Sequence, residues 1–496
     1  MLPEGATVLD PPHEHFQELP GVHATRLVGP VELVAAYHDT PGLDLVAGQL
    51  TLRRRTGGSD EGWHLKLLLR DGARLERHEP LGDPDAGPPV SLLALARSRH
   101  RDRKVQVVVT LTTRRRTLHL LDEADRVLVE VAEDSVVAEV ADPLVSEGHP
   151  GRSTWDEVEV EVVDGDEGLL VAVTELLAGG GARPAGYASK VGRALETAGA
   201  RPARGPHAEA TGAGAVLLQA LDRHVAAVVE GDPMVRLDRP DAVHGVRVAT
   251  RRLRSLLAAF RPLLDGTRTE PLRAELRWLG GVLGGPRDAE VLTARLHGHL
   301  SGGTAASLST LPDGLALEVD HGDASTGAAV EALDSARYLR LLAELDRLLA
   351  DPPMTGRRTR RRGSRDAVGR AYRRVVRDLD TVPDDGPERE EALHEVRKST
   401  KRLRYTCEAV APVLGRDARR LAGRAEDLQE LLGEHQDSVV AQQVLARATE
   451  RVRAEGGDRF ELGRLTGLEQ AAAEHALEGL DRATRRLRSA ARRVLP

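Results

Sequence analysis

VHGVRVATRRLRSLLAAFRPLL runs from Val243 to Leu264, and LHEVRKSTKRLRYTCEAVAPVL runs from Leu393 to Leu414. Both keep His, Arg, Arg or Lys, and Arg at relative positions 0, 3, 7 and 10: His244, Arg247, Arg251, Arg254 and His394, Arg397, Lys401, Arg404. At 100° per residue these four side chains fall within an arc of roughly 80° on a helix. The apolar residues Val246, Leu253 and Leu257, and Val396, Leu403 and Val410, lie apart from that arc, so each stretch reads as an amphipathic helix with one cationic stripe. The neighbours four residues away are mostly not acids: Arg247 meets Val243 and Arg251, and Lys401 meets Arg397 and Tyr405. Like charges at that spacing weaken a helix, so the clustering makes sense if an anion neutralises it. Two copies suggest two facing surfaces that hold one extended anion.

The duplication extends further. LGGVLGGPRDAEVL (279–292) aligns with LQELLGEHQDSVV (428–440), matching Leu283, Gly284 and Asp288 to Leu432, Gly433 and Asp437. The helical period holds from residue 213 on, and predicts helices over 213–230, 241–260, 270–283, 286–299, 328–350, 363–379, 388–411, 416–432, 436–455 and 464–492. Residues 300–327 read as a loop. Two related helical bundles follow, with a basic helix, GRAYRRVVRD, before the second repeat.

The first half has a different period. Short alternating runs predict strands at 32–39, 50–55, 63–69, 74–79, 105–121, 127–134, 135–141 and 155–163, with helices near 88–99 and 169–177. GGSDEG (57–62) is a hairpin loop. Residues two apart on a strand share a face, which pairs Arg53 with Arg55, His64 with Lys66, Arg74 with Glu76, and Arg114 with Arg116. It also aligns Glu157, Glu159 and Glu161, with Val158, Val160 and Val162 opposite. A sheet with one wet side would explain the last pattern. A barrel lined by carboxylates and arginines would also explain the neighbouring ionic pairs, because carboxylates hold a hard divalent cation and guanidinium forks hold phosphate oxygens.

Composition bounds the reading. The chain has 496 residues, 41% apolar and only 2% aromatic, and a formal charge of -7. Residues 1–200 carry 21 basic and 33 acidic groups (net -12), and the rest carry 49 and 44 (net +5). Sixty-five of the 70 basic residues are Arg. A single cysteine, Cys407, excludes an internal disulfide and a thiolate metal site. The start has no signal-peptide pattern and no apolar run approaches a membrane span, so a cytoplasmic protein without membrane partners is expected. Few aromatic rings are available for stacking, so no specific nucleic-acid partner is expected.

YHDTPGLDLVAGQLTLRRRTGG, GWHLKLLL, WDEVEVEV and YASK (187–190) resemble the CYTH domain, the triphosphate tunnel metalloenzyme fold, over residues 1 to about 195. That resemblance implies an eight-stranded antiparallel tunnel binding triphosphate with Mg²⁺ or Mn²⁺. It casts Arg53, Arg55, Lys66, Arg114 and Arg116 as phosphate ligands and fits Arg74 and Glu76 to a charged strand pair. It puts Asp134, Glu159 and Glu161 on the metal side, with Glu157 as a weaker candidate and Glu159 and Glu161 as the catalytic carboxylates. Family members open on a Glu-x-Glu-x-Lys strand, and no such motif precedes residue 50. The expectation is a barrel short of one strand, with turnover impaired, unless that strand lies upstream of Met1.

The H-x-x-R-x-x-x-[RK]-x-x-R repeat resembles the CHAD family, the conserved histidine α-helical domain, over about 209–495. The resemblance implies two four-helix bundles around a basic groove for inorganic polyphosphate. Its lining would be His244, Arg247, Arg251, Arg252, Arg254, Arg287, His394, Arg397, Lys398, Lys401, Arg402 and Arg404, joined by Arg370, Arg373, Arg374 and Arg377. His435 and Gln436 replace Pro286 and Arg287 in the second repeat, making that corner less basic.

The fold expected is therefore two domains: an antiparallel β-barrel (tunnel, α+β) at 1–195, a linker at 196–212, and an all-α domain of two pseudo-symmetric four-helix bundles at 213–495. The function expected is polyphosphate binding, near polyphosphate granules, with a metal-dependent triphosphatase in the barrel. The alternative is a nucleic-acid-binding or protein-recruiting adaptor without catalysis.

Overall fold

The computed structural model describes residues 1, 8–9, 14–69, 72–83, 86–187, 189–202, 212–283, 292, 295–296, 298–299, 322–355, 360–386 and 388–495. It divides into two compact units, Met1–Gly205 and Pro206–Pro496.

The first unit is one antiparallel sheet. Its strands are β1 (Ala24–Asp39), β2 (Leu50–Thr56), β3 (Gly62–Leu68), β4 (Arg74–Glu79), β5 (Gln106–Leu121), β6 (Val127–Val140) and β7 (Arg152–Val162). The order is β4-β3-β2-β1-β5-β6-β7, so among the described residues the sheet has seven strands, with β4 and β7 at its edges. Its helices are α1 (Glu14–Gln17), α2 (Asp44–Ala47), α3 (Val90–His100), α4 (Glu167–Gly179) and α5 (Lys190–Thr197).

Two strand expectations are corrected. Residues 127–134 and 135–141 form the single strand β6, because Asp134 and Ser135 stay in register opposite Arg115 and Arg114. β1 begins eight residues earlier than expected and carries a bulge between Val28 and Val31. The β2–β3 turn needs its glycine. Gly57 has φ 81°, and a Cβ there would lie 2.1 Å from the Glu32 carbonyl oxygen.

The two faces of the sheet are used differently. On the outer face, Leu118, Leu120, Val129 and Val131 pack under Phe16 of α1 and Leu169, Val173 and Leu177 of α4. On the inner face, Ala35, Tyr37, Leu111 and Trp155 pack against Val191 and Leu195 of α5, forming an apolar plug. Beyond that plug the inner face stays polar and encloses a cavity of about 820 Å³. Asp166 starts α4 by accepting from Leu169 N, and Ser189 starts α5 by accepting from Gly192 N.

The second unit is helical: α6 (Gly212–Arg236), α7 (Ala242–Ala259), α8 (Gly266–Val282), α9 (Gly322–Asp334), α10 (Ala336–Ala350), α11 (Arg360–Asp380), α12 (Glu388–Leu414), α13 (Arg416–Ala454), α14 (Phe460–Glu478) and α15 (Leu480–Val494). The segment 284–291, with Arg287 and Asp288, and residues 300–321 of the expected 300–327 loop lie outside the described residues, whereas 322–327 are not loop but the first turns of α9. Expected helix limits shift in three places. The 328–350 helix is split because Ser335 accepts from Tyr338 N and starts α10. The 464–492 helix is split at Gly479, where a Cβ would meet Leu431 Cδ1 at 2.9 Å. The 416–432 and 436–455 helices are one, since Gly433 stays helical under the Arg397 side chain.

Val246, Leu253, Leu257, Val396, Leu403 and Val410 all enter one core with Leu217, Leu221 and Val228 of α6. Helix α6 is long and apolar enough to cross a membrane by composition, with half of its most apolar window buried in the protein. Burying that face stabilises the bundle by about 25 cal/mol per Å² of apolar surface.

Candidate functional site

The inner face of β7 carries Glu157, Glu159 and Glu161, as its two-residue period requires. Register then builds a row across three strands: Arg115 of β5 opposite Asp134 of β6, and Asp134 opposite Glu157. One oxygen each from Asp134, Glu157 and Glu159 lies within 4.8 Å of the others. Arg115 donates to both Asp134 oxygens at 2.7 and 2.6 Å and to Glu159 at 2.6 Å. Lys190, the first residue of α5, stands 3.2 Å from Asp134 and 2.5 Å from Glu157, and also bonds Glu159. Trp155 Nε1 donates to Glu157 at 2.8 Å, and the Tyr187 hydroxyl donates to the same oxygen. Arg193 stacks over both rings, 4.5 Å from Trp155 and 4.9 Å from Tyr187.

Charge pairing rather than solvent sets the ionisation here. Burial acts to lower Lys190, but Glu159, Asp134 and Glu157 outweigh it and hold the ammonium above its ordinary value. Burial acts to raise Glu159, but Lys190 and Arg115 outweigh it and hold the carboxyl below the usual range. Burial and the bond to Glu157 push the Tyr187 phenol up to about 12.

Arg53, Arg55 and Lys66, all expected there, line the same cavity, together with His119, Glu130 and Glu161. Arg53 reaches the Tyr37 hydroxyl at 3.4 Å, Arg55 pairs with Asp60 at 2.5 Å, and Lys66 pairs with Glu76 at 2.9 Å. Arg74 is exposed on the edge strand β4. Three expectations are corrected. Arg114 and Arg116 lie on the outer face, and Arg115 takes the inner one. Arg116 is committed to Glu133, which also accepts from Val8 N and Leu9 N. Glu161 lines the cavity but lies outside the carboxylate cluster, where Glu157 stands instead. Lys190 and Tyr187 went unassigned although the YASK stretch contains both; a strand period cannot link a helix start to a distant strand.

In the helical unit, α7 packs against α12, so the two stripes meet. Arg247 and Arg251 from one, and Arg397 from the other, all lie near enough to Lys401 to act on its charge. Burial first, then Arg251, Arg397 and Arg247, push the Lys401 amine down to about 7, with Asp437 opposing. The Arg397 side chain lies over Gly433, 3.6 Å from its Cβ position, and its Nε is buried without a hydrogen-bond partner among the described residues. Arg251 donates to the Tyr405 hydroxyl at 3.2 Å.

The sides of the two helices differ. On one side Arg254 and Arg402 are near Arg273, and Arg254 is also near Arg277; burial and neighbouring cations lower both guanidiniums. On the other side Arg252 pairs with Glu408 at 3.0 Å, and Arg404 pairs with Glu408 at 2.8 Å and Glu426 at 2.6 Å. Arg273 and Arg277 belong to α8, outside the repeated element, and sequence spacing did not point to them.

The remaining expected residues are dispersed. His244 is exposed at the start of α7. His394 donates from Nδ1 to Gln436 Oε1 at 2.7 Å, and burial lowers its pKa. Lys398 pairs with Glu395 at 2.7 Å and Arg374 with Asp378 at 2.9 Å. Arg370 donates to the Ala259 carbonyl at 3.1 Å. Arg373 and Arg377 are exposed on α11. His435 is buried between Glu390, at 2.7 Å, and the Ala473 carbonyl, at 3.1 Å.

Residues 11–179 match the CYTH domain family, and residues 219–446 match the CHAD domain family. Two uncharacterized proteins of Mycobacterium tuberculosis, from strains CDC 1551 / Oshkosh and ATCC 25618 / H37Rv, are each 35% identical over 481 residues, covering 93% of this chain and 91% of the relative. Two solved structures are more distant. PptA from Streptomyces chartreusis is 21% identical, with a TM-score of 0.46 over 55% of this chain and 100% of that one. The CHAD domain from the plant Ricinus communis is 24% identical, with a TM-score of 0.44 over 56% of this chain and 92% of that one. The order of motifs along this sequence, the polar-lined sheet and the paired cationic helices agree with the two family matches: the chain belongs to the CYTH–CHAD proteins, a CYTH domain followed by a CHAD domain.

Proposed function

We propose that the CHAD domain binds inorganic polyphosphate in the groove between α7 and α12, and that the CYTH domain is a metal-dependent site for triphosphate. The observation that carries the first part is the gathering of Arg247, Arg251 and Arg397 near Lys401, which burial and these cationic neighbours push down to about 7. Such an arrangement is unfavourable when empty and favourable around a chain of phosphates, whose repeated negative charge matches stacked guanidinium forks.

In the barrel, the oxygens of Asp134, Glu157 and Glu159 suit a hard divalent cation such as Mg²⁺ or Mn²⁺. When bound, the metal supplies Lewis acidity toward phosphate oxygens and lowers the pKa of a coordinated water. The chain's own residues do the rest. Arg115 and Lys190, which now pair with the carboxylates, are placed to turn toward phosphate oxygens, and Arg53, Arg55 and Lys66 hold the far end of the anion. Their fixed positive charge favours the charge that develops as water attacks a terminal phosphoryl group. Tyr187 and Trp155 orient Glu157.

Titration of the full chain with long-chain polyphosphate at rising salt tests the first part. Affinity should fall steadily with ionic strength. Substituting Arg247 and Arg251, or Arg397 and Lys401, by Ala should each weaken it. Unchanged affinity in either variant with intact helicity, or equal binding of single-stranded DNA, overturns the reading. Phosphate release from inorganic triphosphate with Mg²⁺ or Mn²⁺ tests the second; loss on Glu159→Gln is expected, and metal-independent release would refute it.

A further inference from the structure

A second cleft in the helical unit, of about 970 Å³, lies between α11 and α15. Arg361, Arg362, Arg365, Arg370, Arg373 and Arg492 line it, and Asp366 is its one lining carboxylate. Within the cleft, Arg361, Arg365, Arg373 and Arg492 form no ion pair among the described residues. The Arg365 Nε is buried with no hydrogen-bond partner among them. Gly369, in the middle of α11, keeps the floor low: a Cβ there would lie 3.3 Å from Arg373 Nη1 and 3.5 Å from Leu495 Cδ2.

We infer that this cleft is a second anion site of the helical unit, built for a short run of linked phosphates. Four guanidiniums without an acidic partner, on two helices, repel one another unless an anion sits between them. Their planar forks match phosphate oxygens from both sides, which a monovalent anion could not satisfy. The cleft does not use the α7–α12 stripes, so it can be filled independently of them. The proposal rests on the polyphosphate reading for its class of ligand alone. A chain of linked phosphates comes either as an inorganic polymer or as the tail of a nucleoside triphosphate. Tyr372, which also lines the cleft, is the group that would discriminate.

Hydrogen exchange of the full chain, followed by mass spectrometry with and without medium-chain inorganic polyphosphate, tests this. Polyphosphate should slow exchange in residues 361–373 and 488–495. Arg361→Ala/Arg373→Ala/Arg492→Ala, three substitutions at exposed positions, should weaken that local effect at least about tenfold in ligand concentration. Protection in α7 and α12 should persist. Arg247→Ala/Arg251→Ala should do the reverse. Protection of α11 and α15 that survives the triple variant, or is absent while α7 and α12 are protected, overturns the second site. Loss at α7 and α12 alone overturns the groove and leaves the cleft standing. Should the triple variant exchange faster throughout, Arg373→Glu alone serves the same comparison. In a parallel arm with ATP, protection lost on Tyr372→Ala assigns the nucleoside source, and protection by the inorganic polymer that is indifferent to it assigns the inorganic one.

Discussion

Lys401→Met should make the protein more stable and a poorer polyphosphate binder at once. Lys401 ordinarily titrates at 10.5 and here at about 7, because burial and then Arg251, Arg397 and Arg247 disfavour its charge, with Asp437 only partly offsetting them. At about 1.4 kcal/mol per pKa unit, the charged form costs on the order of 5 kcal/mol in the empty fold. Solvent and counter-ions reduce that, and ~1–3 kcal/mol is a fair expectation for replacing it with an apolar isostere. The sign follows from linkage. Between about 7 and 10.5 the unfolded lysine is protonated and the folded one is not, so stability rises with pH across that window. The penalty is complete below it and gone above it. Denaturant unfolding at several pH values should therefore show the variant ahead of the wild type near neutrality, with the gap closing toward pH 10 or so. A bound polyanion should return the proton: calorimetry at about pH 8, in buffers of different ionisation enthalpy, should register uptake approaching one proton. A variant less stable than the wild type at neutral pH, together with no proton uptake on binding, would refute the argument that the two stripes repel each other in the empty groove.

The barrel yields three more expectations. Arg116→Gln should cost about 1–3 kcal/mol of stability, by breaking its pair with Glu133, while leaving triphosphate binding unchanged; Arg115→Gln should weaken triphosphate binding severely, and titrating both variants separates the roles. Glu157→Gln should lower Mn²⁺ affinity by at least ~10-fold and Glu161→Gln by much less, as read by direct metal titration. Gly57→Ala should destabilise the first unit by more than ~1 kcal/mol, since a Cβ 2.1 Å from the Glu32 carbonyl oxygen forces the β2–β3 turn off β1, and thermal unfolding of the full chain would show it.

How far the sequence carried depends on what each residue's neighbours were. The helical stripes were legible because charge and apolarity both repeat with the helix, and the apolar residues of both repeats do enter the core. Parity in β5 was not legible. Arg114, Arg115 and Arg116 are consecutive, so a two-residue period fits either face, and only the outer packing of Leu118 and Leu120 under α1 and α4 decides it. The middle of β6 resembles a turn because Asp134 and Ser135 are poor strand formers. They are tolerated there because Arg115 pairs with Asp134, and Ser135 donates to Asp156 at 2.7 Å. Gly433 resembles a helix stop and is instead the space that Arg397 lies over. The glutamates of β7 were legible as a set, but which of them meet Asp134 follows from the β6–β7 register, and Lys190 reaches them from a helix start some thirty residues further along.

The two domains meet the same problem, concentrated charge without its ligand, in opposite ways. In the barrel, cations and carboxylates satisfy each other: Arg115 and Lys190 occupy the oxygens of Asp134, Glu157 and Glu159. On the proposed function, a metal and a triphosphate should arrive together, the metal taking the carboxylates as the phosphates take the released cations. Either alone leaves one half of a buried pair without its partner, at a cost of several kcal/mol. In the helical groove three cations bear on Lys401, with Asp437 opposing them. Arg247, Arg251, Arg397 and Lys401 face one another, and the fold relieves the repulsion by letting Lys401 give up its proton. The barrel should thus respond cooperatively to metal and triphosphate and little to pH near neutrality. The groove should respond to pH and ionic strength and not to metal. A polyphosphate affinity that rises with Mn²⁺ while triphosphate binding in the barrel does not would contradict this division, and would place the carboxylates of β7 outside the metal chemistry.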